Sequence, residues 1–352
     1  MALFLRDEEV RQCVSMDEML EAIESMQRHY GNGEAYNLAR RKIIAGTGML
    51  SVMGGGLFYQ GLLGVKTYTV VKGVYSFQVS LYDAETGKLL CYTQANRLGQ
   101  LRTGATSGVA VRHLAKSDAT TIGIIGTGGQ ASTQLEAVSK VRNIKKVLAY
   151  SRNAERREAF ARAASDTLGI EVVAAHSNRE AVEGSDIILC IAATTTSVVE
   201  GEWLSAGNTV IGAGPTSWRF QEVDDATFST ADKIFVDSAE QATVEAGDMA
   251  SAVDRGLLQW SQLLELRHAV AGKVKGRDND QQIVYAKLMV PGLRTLRLRL
   301  LPTRTLPRRV WGRRWSGSQQ GLATGQVLVD ALYAVVAVVH QQVLHSGAGC
   351  IQ

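Results

Sequence analysis

Thr121-Ile-Gly-Ile-Ile-Gly-Thr-Gly-Gly-Gln-Ala131 is the stretch on which the fold turns. A short apolar run, Thr121–Gly126, ends in glycines, and a helical pattern follows to about Val141. The spacing matches GxGxxA at Gly126, Gly128 and Ala131. In a strand–turn–helix unit each of these positions has a physical task. The first glycine permits the tight turn, the second lets backbone approach a pyrophosphate, and the alanine allows close helix–strand packing. The helix N-terminus favours phosphate charge. Gly126, Gly128, Gln130 and Ala131 are therefore candidate dinucleotide contacts.

Outward from this turn the pattern repeats. Lys146–Tyr150 is the next strand and Ala154–Leu168 a helix. Glu171–Ala175, Ile187–Ile191, Thr209–Ala213 and Lys233–Asp237 are four more short apolar runs between helical or loop stretches. Such βαβ alternation predicts an α/β fold with a doubly wound parallel sheet, spanning about 117–275. The end of the second strand reports on the cofactor. An Asp or Glu there, about 20 residues past the glycines, would hold a ribose 2′-OH. This chain has Tyr150-Ser151-Arg152-Asn153 and no acid until Glu155. Ser151 and Arg152 suit a 2′-phosphate, so NADP(H) is the expected cofactor and NAD(H) the alternative. Thr194–Thr196 follow a central strand, where the binding crevice of such a sheet lies, and Thr194 is a candidate contact.

The first 115 residues read differently. One helix is expected over 10–30, with Met19, Leu20, Ile23 and Met26 at helical spacing. Strand-rich sequence covers 41–53 and 61–98, and a helix with small residues on one face covers 102–115. Three cations stand out: Arg40 (with Arg41 beside it), Lys66 and Arg102. Lys66 sits in Gly61-Leu-Leu-Gly-Val-Lys-Thr-Tyr-Thr69, and an inward lysine there needs an anion or a depressed pKa. Arg102 opens the small-residue helix, where a guanidinium fork suits a carboxylate. Solvated or ion-paired surface charges are the alternative for each. Thr103, beside Arg102, could touch a cofactor or merely cap its helix.

Composition excludes much. The 352 residues are 45% hydrophobic and 20% charged, which rules out wholesale disorder. The 4 cysteines are scattered without CxxC spacing, and the 6 histidines form no HxH or HxxxH pair. Neither a disulfide scaffold nor a metal site is expected. The start carries acids by position 7, and the longest apolar run, Ala331–Val339, is far short of the roughly 20 residues of a membrane span. A soluble cytoplasmic protein is expected. The net charge of +4 comes from one segment: eight arginines fall between Arg294 and Arg314, and without them the chain would stand at −4. The rest gives no electrostatic reason to expect nucleic acid.

Together these segments resemble the ornithine cyclodeaminase/mu-crystallin family. The matching stretches are Asn37-Leu-Ala-Arg40-Arg-Lys, Val52-Met53-Gly-Gly-Gly, Gly64-Val-Lys66-Thr-Tyr-Thr, Arg102-Thr-Gly-Ala-Thr-Ser107 and Gly126-Thr-Gly-Gly-Gln-Ala131. Ala192-Ala-Thr-Thr-Thr, Ile211-Gly-Ala-Gly-Pro and Val236-Asp-Ser238 follow in the same order, so the likeness runs over about residues 5–289. The resemblance implies a Rossmann-type sheet at 117–275 plus a mixed α+β substrate and dimerisation domain. That domain would take residues 1–116 with part of 276–352, and the protein would be a homodimer. It implies an NAD(P)H-dependent oxidoreductase acting on an imino or amino acid, in which Arg40 and Arg102 hold the carboxylate and Lys66 is the acid/base. The substrate would be a cyclic imine such as pyrroline-2-carboxylate, or an α-keto acid with an amine. A cyclodeaminase and a non-catalytic crystallin-like NADP-binding protein are the alternatives.

Two departures bear on these. Cyclodeaminases carry an Asp after the Thr209–Ala213 strand, where this chain has Gly214, which argues against cyclodeamination. After Met289 the family continues into an Ala-rich helix, whereas here the Arg-rich 290–352 segment follows, with Pro291, Pro302 and Pro307. An altered reading frame is the simplest account, since Val290–Arg299 is compatible in another frame with Gly-Pro-Gly-Val-Ala-Asp-Val-Ala-Leu-Ala. A basic segment for RNA or acidic lipid, with Trp311 and Trp315, is its rival.

Overall fold

The computed structural model describes residues 2–214 and 217–289. The atypical segment from Val290 onward, its arginines, prolines and tryptophans, and Pro215 lie outside them.

Two sheets organise the chain. The first has six strands: β1 (Leu3–Leu5), β2 (Ala35–Ala45), β3 (Gly48–Leu57), β4 (Leu62–Val71), β5 (Val74–Asp83) and β6 (Leu89–Gln94). Their order is β1-β6-β5-β4-β3-β2, antiparallel except for the parallel β1–β6 pair. Between β4 and β5 lies a two-residue turn, Lys72-Gly73, with φ of 49° and 79°. Both residues are left-handed, the geometry that continues the twist of a hairpin. The Val70–Val74 run is thus two strand ends and a turn.

The expected helix over 10–30 is two helices, α1 (Asp7–Cys13) and α2 (Met16–Gly31). Ser15 separates them: its hydroxyl accepts from Glu18 N–H while Glu18 reaches back to the Ser15 N–H, a reciprocal capping box. α3 (Asn96–Leu114) is buried along nearly its whole length. Its small residues have a packing cause. A Cβ on Gly104 would collide with the Thr133 backbone, and one on Gly108 would sit 2.6 Å from Leu20. α3 therefore crosses both α2 and the first helix of the second half at close range.

That second half is an eight-stranded parallel sheet: β7 (Thr121–Ile125), β8 (Lys146–Tyr150), β9 (Glu171–Ala174), β10 (Ile187–Cys190), β11 (Thr209–Gly212), β12 (Lys233–Val236), β13 (Leu264–Glu265) and β14 (Val284–Lys287). The order β13-β12-β14-β11-β10-β7-β8-β9 is that of a doubly wound Rossmann-type sheet. α4 (Ala131–Ser139), α5 (Ala154–Leu168) and α6 (Asn178–Glu183) connect its first strands. α7 (Asp225–Thr230), α8 (Ala239–Glu245), α9 (Gly247–Asp254) and α10 (Leu266–Val270) follow. Strands β10, β11 and β14 are buried at every residue, as parallel strands covered on both faces must be. β14 comes from beyond residue 275 and inserts between β11 and β12. Strand order reverses between β7 and β10, so a crevice opens at the carboxyl ends of those two strands. Among the described residues no helix is long and apolar enough to cross a membrane.

Candidate active site

The glycine turn closes the crevice from below. Gly126 has φ 107°, and a Cβ there would lie 3.0 Å from Ile191 O, on the loop after β10. Gly128 faces open space, and a Cβ on Gly129 would meet only the Gln100 side chain, at 3.9 Å. Gln130 is the N-cap residue of α4 and Ala131, fully buried, is its first residue. The early N–H groups of a helix have no partner within it, so turn and helix end form an uncrowded cradle for an anion. At the rim, Thr127 Oγ1 and Ser151 Oγ lie 2.8 Å apart, joining the turn to the end of β8. Arg157 holds that corner: it donates to Ser151 O at 2.8 Å and lies over the Tyr150 ring. Arg152 is exposed beside it. On the far wall the Thr194 hydroxyl donates to Thr196 O, folding the loop on itself. Thr103 is buried, with its hydroxyl donating to Gly99 O within α3. These residues fit a dinucleotide laid across the turn.

The cations come from the other sheet. In the β2–β3 pairing Leu38 faces Gly54 and Arg41 faces Val52, so Ala39 and Arg40 together oppose Met53. This bulge turns the chain, leaving Arg41 exposed and the Arg40 side chain only 7% exposed. Met53 in turn pairs with Lys66, and Lys66 with Val79. Bulge and lysine thus lie in one row, two strand spacings or roughly 10 Å apart. Lys66 is buried, its Nζ 5.1 Å from the Phe77 ring centre and 5.9 Å from that of Tyr68. Arg40 Cζ lies 6.0 Å from the same Tyr68 ring. Arg102, buried on α3, is close enough for its charge to act on Lys66.

Those surroundings decide the chemistry of Lys66. Burial pushes its pKa well below the ordinary lysine value, and the Arg102 and Arg40 charges push it further the same way. No carboxylate pairs with it among the described residues. Such a lysine exchanges a proton readily and welcomes an anion. The structure therefore brings Arg40, Lys66 and Arg102 together and separates Arg41 from them.

Three acidic groups escaped the sequence reading. Glu245, on α8, reaches Arg40 Nη1 at 2.8 Å and Lys42 Nζ at 2.9 Å. Glu222 and Asp248 clasp Lys287 Nζ at 2.8 and 2.9 Å, all three side chains at most 3% exposed. Glu222 also accepts from Gly214 N–H at 3.1 Å. A Cβ on Gly214 would overlap that carboxylate, so no side chain fits there while Glu222 stays in place. The segment Glu245-Ala-Gly-Asp248 and a lysine inside Ile283–Met289 were the available signals.

Comparison with known proteins agrees with this architecture. The sequence model of the "Ornithine cyclodeaminase/mu-crystallin family" matches residues 2–289. A Delta(1)-pyrroline-2-carboxylate reductase of Bacillus cereus is 36% identical over 233 residues, 64% of this chain and 71% of that protein. The same reductase from Thermococcus litoralis, solved with NADH and L-proline, superposes with a TM-score of 0.78 at 33% identity. That match covers 82% of this chain and 92% of the other. An archaeal alanine dehydrogenase dimer with bound NAD gives 0.75 at 30% identity, over 82% and 90%.

Proposed function

The chain belongs to the ornithine cyclodeaminase/mu-crystallin family, and from that premise we propose that it reduces a carbon–nitrogen double bond beside a carboxylate, using a nicotinamide cofactor. The observation that carries this reading is Lys66: a buried lysine flanked by two guanidinium groups and two aromatic rings. Arg102 and Arg40 hold the substrate carboxylate. The protonated Lys66 ammonium donates to the imine nitrogen, which makes the neighbouring carbon electron-poor. Tyr68 and Phe77 exclude water from that proton. The nicotinamide, when bound, supplies the hydride. Gly126, Gly128, Gln130 and Ala131 hold the pyrophosphate, and Thr103 and Thr194 border the reacting end. Run backwards, the same arrangement oxidises an amino acid, as in an alanine dehydrogenase.

Cyclodeamination fits less well. Position 214 carries no side chain, and the carboxylate beside it, Glu222, is fully buried and held by Lys287 and the Gly214 N–H, so it is not offered to assist amine loss.

The cofactor preference is a finer proposal. The relatives above were solved with NADH or NAD, whereas here the end of β8 offers Ser151 and Arg152 without a carboxylate. NADPH should bind more tightly than NADH, and Arg152→Ala should remove the difference; fluorescence titration with both cofactors measures it. Tighter NADH binding would reject the preference.

The assembly is a homodimer in this reading. The ends of β2 and β5 expose Ile43, Ile44, Val74 and Tyr75, with Ile44 75% and Val74 70% exposed. A second copy would cover this apolar surface. Sedimentation as a monomer would refute it.

The deciding assay is NAD(P)H oxidation with pyrroline-2-carboxylate, iminosuccinate, and pyruvate plus ammonia. Turnover of one of these is expected. Saturable cofactor binding without oxidation of any would instead favour a non-catalytic binding protein.

A further inference from the structure

A fully buried carboxylate stitches together the loops on one side of the crevice. Glu222 lies between β11 and α7. Its side-chain oxygens face donors from three elements. Lys287, which ends β14, donates at 2.8 Å, the Gly214 N–H lies 3.1 and 3.2 Å from the two oxygens, and the Cys190 thiol at the end of β10 bonds to them as well. The backbone at the same place is also tied. Val198 and Val199 N–H donate to Glu222 O at 3.0 and 3.1 Å, and Gln221 N–H donates to Thr194 O at 3.0 Å. Glu222 thus joins the loop after β10 to the loop after β11. Lys287 carries the connection on to Asp248 in α9, at 2.9 Å. Gly214 belongs to the device: its Cβ would overlap Glu222 Oε1, so only the missing side chain lets the carboxylate reach the Gly214 N–H.

We propose that Glu222 is a positioning residue for the nicotinamide half of the cofactor: it fixes the loops after β10 and β11, and it does nothing for the adenosine half. This rests on the reading of the crevice as a dinucleotide site. With the pyrophosphate on the turn after β7, the adenosine half lies toward β8 and the other half toward β10 and then β11, the next strands in the sheet. Glu222 acts on that second side alone. Its chemistry suits the task. A carboxylate taken out of water is costly, and a well-packed apolar side chain would fill the same place without that cost. What the carboxylate adds is direction. It accepts from a backbone N–H and from an ammonium at once, so the loop after β11 is placed relative to β14. A glutamine cannot replace it. Both oxygens face donors, so an amide turned either way sets its NH₂ against Lys287 or the Gly214 N–H.

The test uses two ligand pairs, NADPH with 2′-phospho-ADP-ribose and NADH with ADP-ribose. The second member of each pair lacks the nicotinamide ring. Calorimetry on the full chain measures all four. Glu222→Gln should weaken the dinucleotides by about tenfold and the ADP-riboses by less than about twofold. Its kcat for imine reduction should fall by about 10–100-fold, the usual result of a small misplacement of reacting groups. The control is Glu24→Gln in the first half, where Glu24 of α2 pairs with Arg112 and His113 of α3. It lowers stability too, and should weaken neither member of a pair selectively. A folded Glu222→Gln that weakens both members equally, or neither, overturns the proposal and leaves the dinucleotide reading intact. The same selective loss in Glu24→Gln would trace the effect to lowered stability and overturn it as well. Should Glu222→Gln fail to fold, Gly214→Ala displaces the carboxylate from the other side. It should show the same selective loss, and its absence overturns the proposal equally. Wild type that binds none of the four overturns the shared reading, and this inference with it.

Discussion

Lys66 and Lys287 are both 2% exposed, and they are opposites. Lys66 stands among Arg40, Arg102, Tyr68 and Phe77, and its pKa is driven well below the ordinary value by burial and by like charge. Lys287 stands between Asp248 and Glu222, which drive its pKa well above that value in spite of burial. Burial raises the Tyr285 hydroxyl and the Cys190 thiol beside them, with Asp248 and Glu222 adding to it at Tyr285 and Glu222 at Cys190. Burial alone says little about what a lysine does; its neighbours decide. The first has no carboxylate partner among the described residues. The other already has its anions and ties β14 to the loop after β11 and to α9.

The largest expected effect separates the two by activity. Lys66→Met should lower kcat by about 10²–10⁴-fold, the usual worth of a positioned proton donor, with cofactor affinity nearly unchanged. Retained turnover would remove its role. Lys287→Met should act on stability instead, because it strands two carboxylates in the core. A loss of about 3–5 kcal/mol in urea unfolding is expected. Neutralising the cluster as a whole, with Glu222→Gln and Asp248→Asn added, should recover part of that loss. If the single change cost activity but no stability, the contrast between the lysines would collapse.

The pH dependence sharpens the contrast further. For Lys66 the protonated form is the donor, so kcat/KM for imine reduction should fall as pH rises through a pKa below the ordinary lysine range. Lys66→Arg, if active at all, should push that limb out of view, since a guanidinium stays charged. The stability slopes have opposite signs. Above its folded pKa Lys66 is neutral in the native state and still protonated in the unfolded chain, so its contribution rises with pH until ordinary lysines titrate. Lys287 has a raised folded pKa, so its contribution is complete below the ordinary value and is lost as pH rises through the folded one. Unfolding measured across alkaline pH in the two Met variants reads both slopes.

Much of the parallel-sheet half was legible because its strands are continuous apolar runs and the order of strand and helix is regular. Lys146–Tyr150 and Ala154–Leu168 have the same bounds in the structure as in the sequence reading. β14 was missed for the same physical reason that it matters: a lysine closes its apolar run, and only Glu222 and Asp248, distant in sequence, make that lysine compatible with the core. In the antiparallel sheet the cations were legible as oddities, whereas their geometry was not. Which of Arg40 and Arg41 turns inward depends on a bulge against Met53. The Arg40–Glu245 pair joins residues 205 apart in the chain, a separation no local pattern reports.

A third ion cluster is less buried than either lysine and sets the scale of the smallest effect. Glu24 on α2 accepts from His113 at 3.0 Å and pairs with Arg112, both on α3. The His113 hydrogen bond, followed by Arg112, holds the Glu24 carboxyl down at about 2 against the ordinary 4.5. A lowered carboxylate pKa stabilises the fold above 4.5, and that contribution is lost as pH falls through about 2. The difference corresponds to about 3 kcal/mol. Arg112 is 35% exposed and Arg28, which also reaches Glu24, is 53% exposed, so water screens the interaction. About 1–2 kcal/mol should remain. Glu24→Gln should therefore lose about that much stability at pH 7 and show a flatter acid limb below pH 4.5, with turnover unchanged. Added salt should shrink the effect. The same salt should leave the cost of Lys287→Met nearly untouched, because no solvent reaches that cluster to screen it.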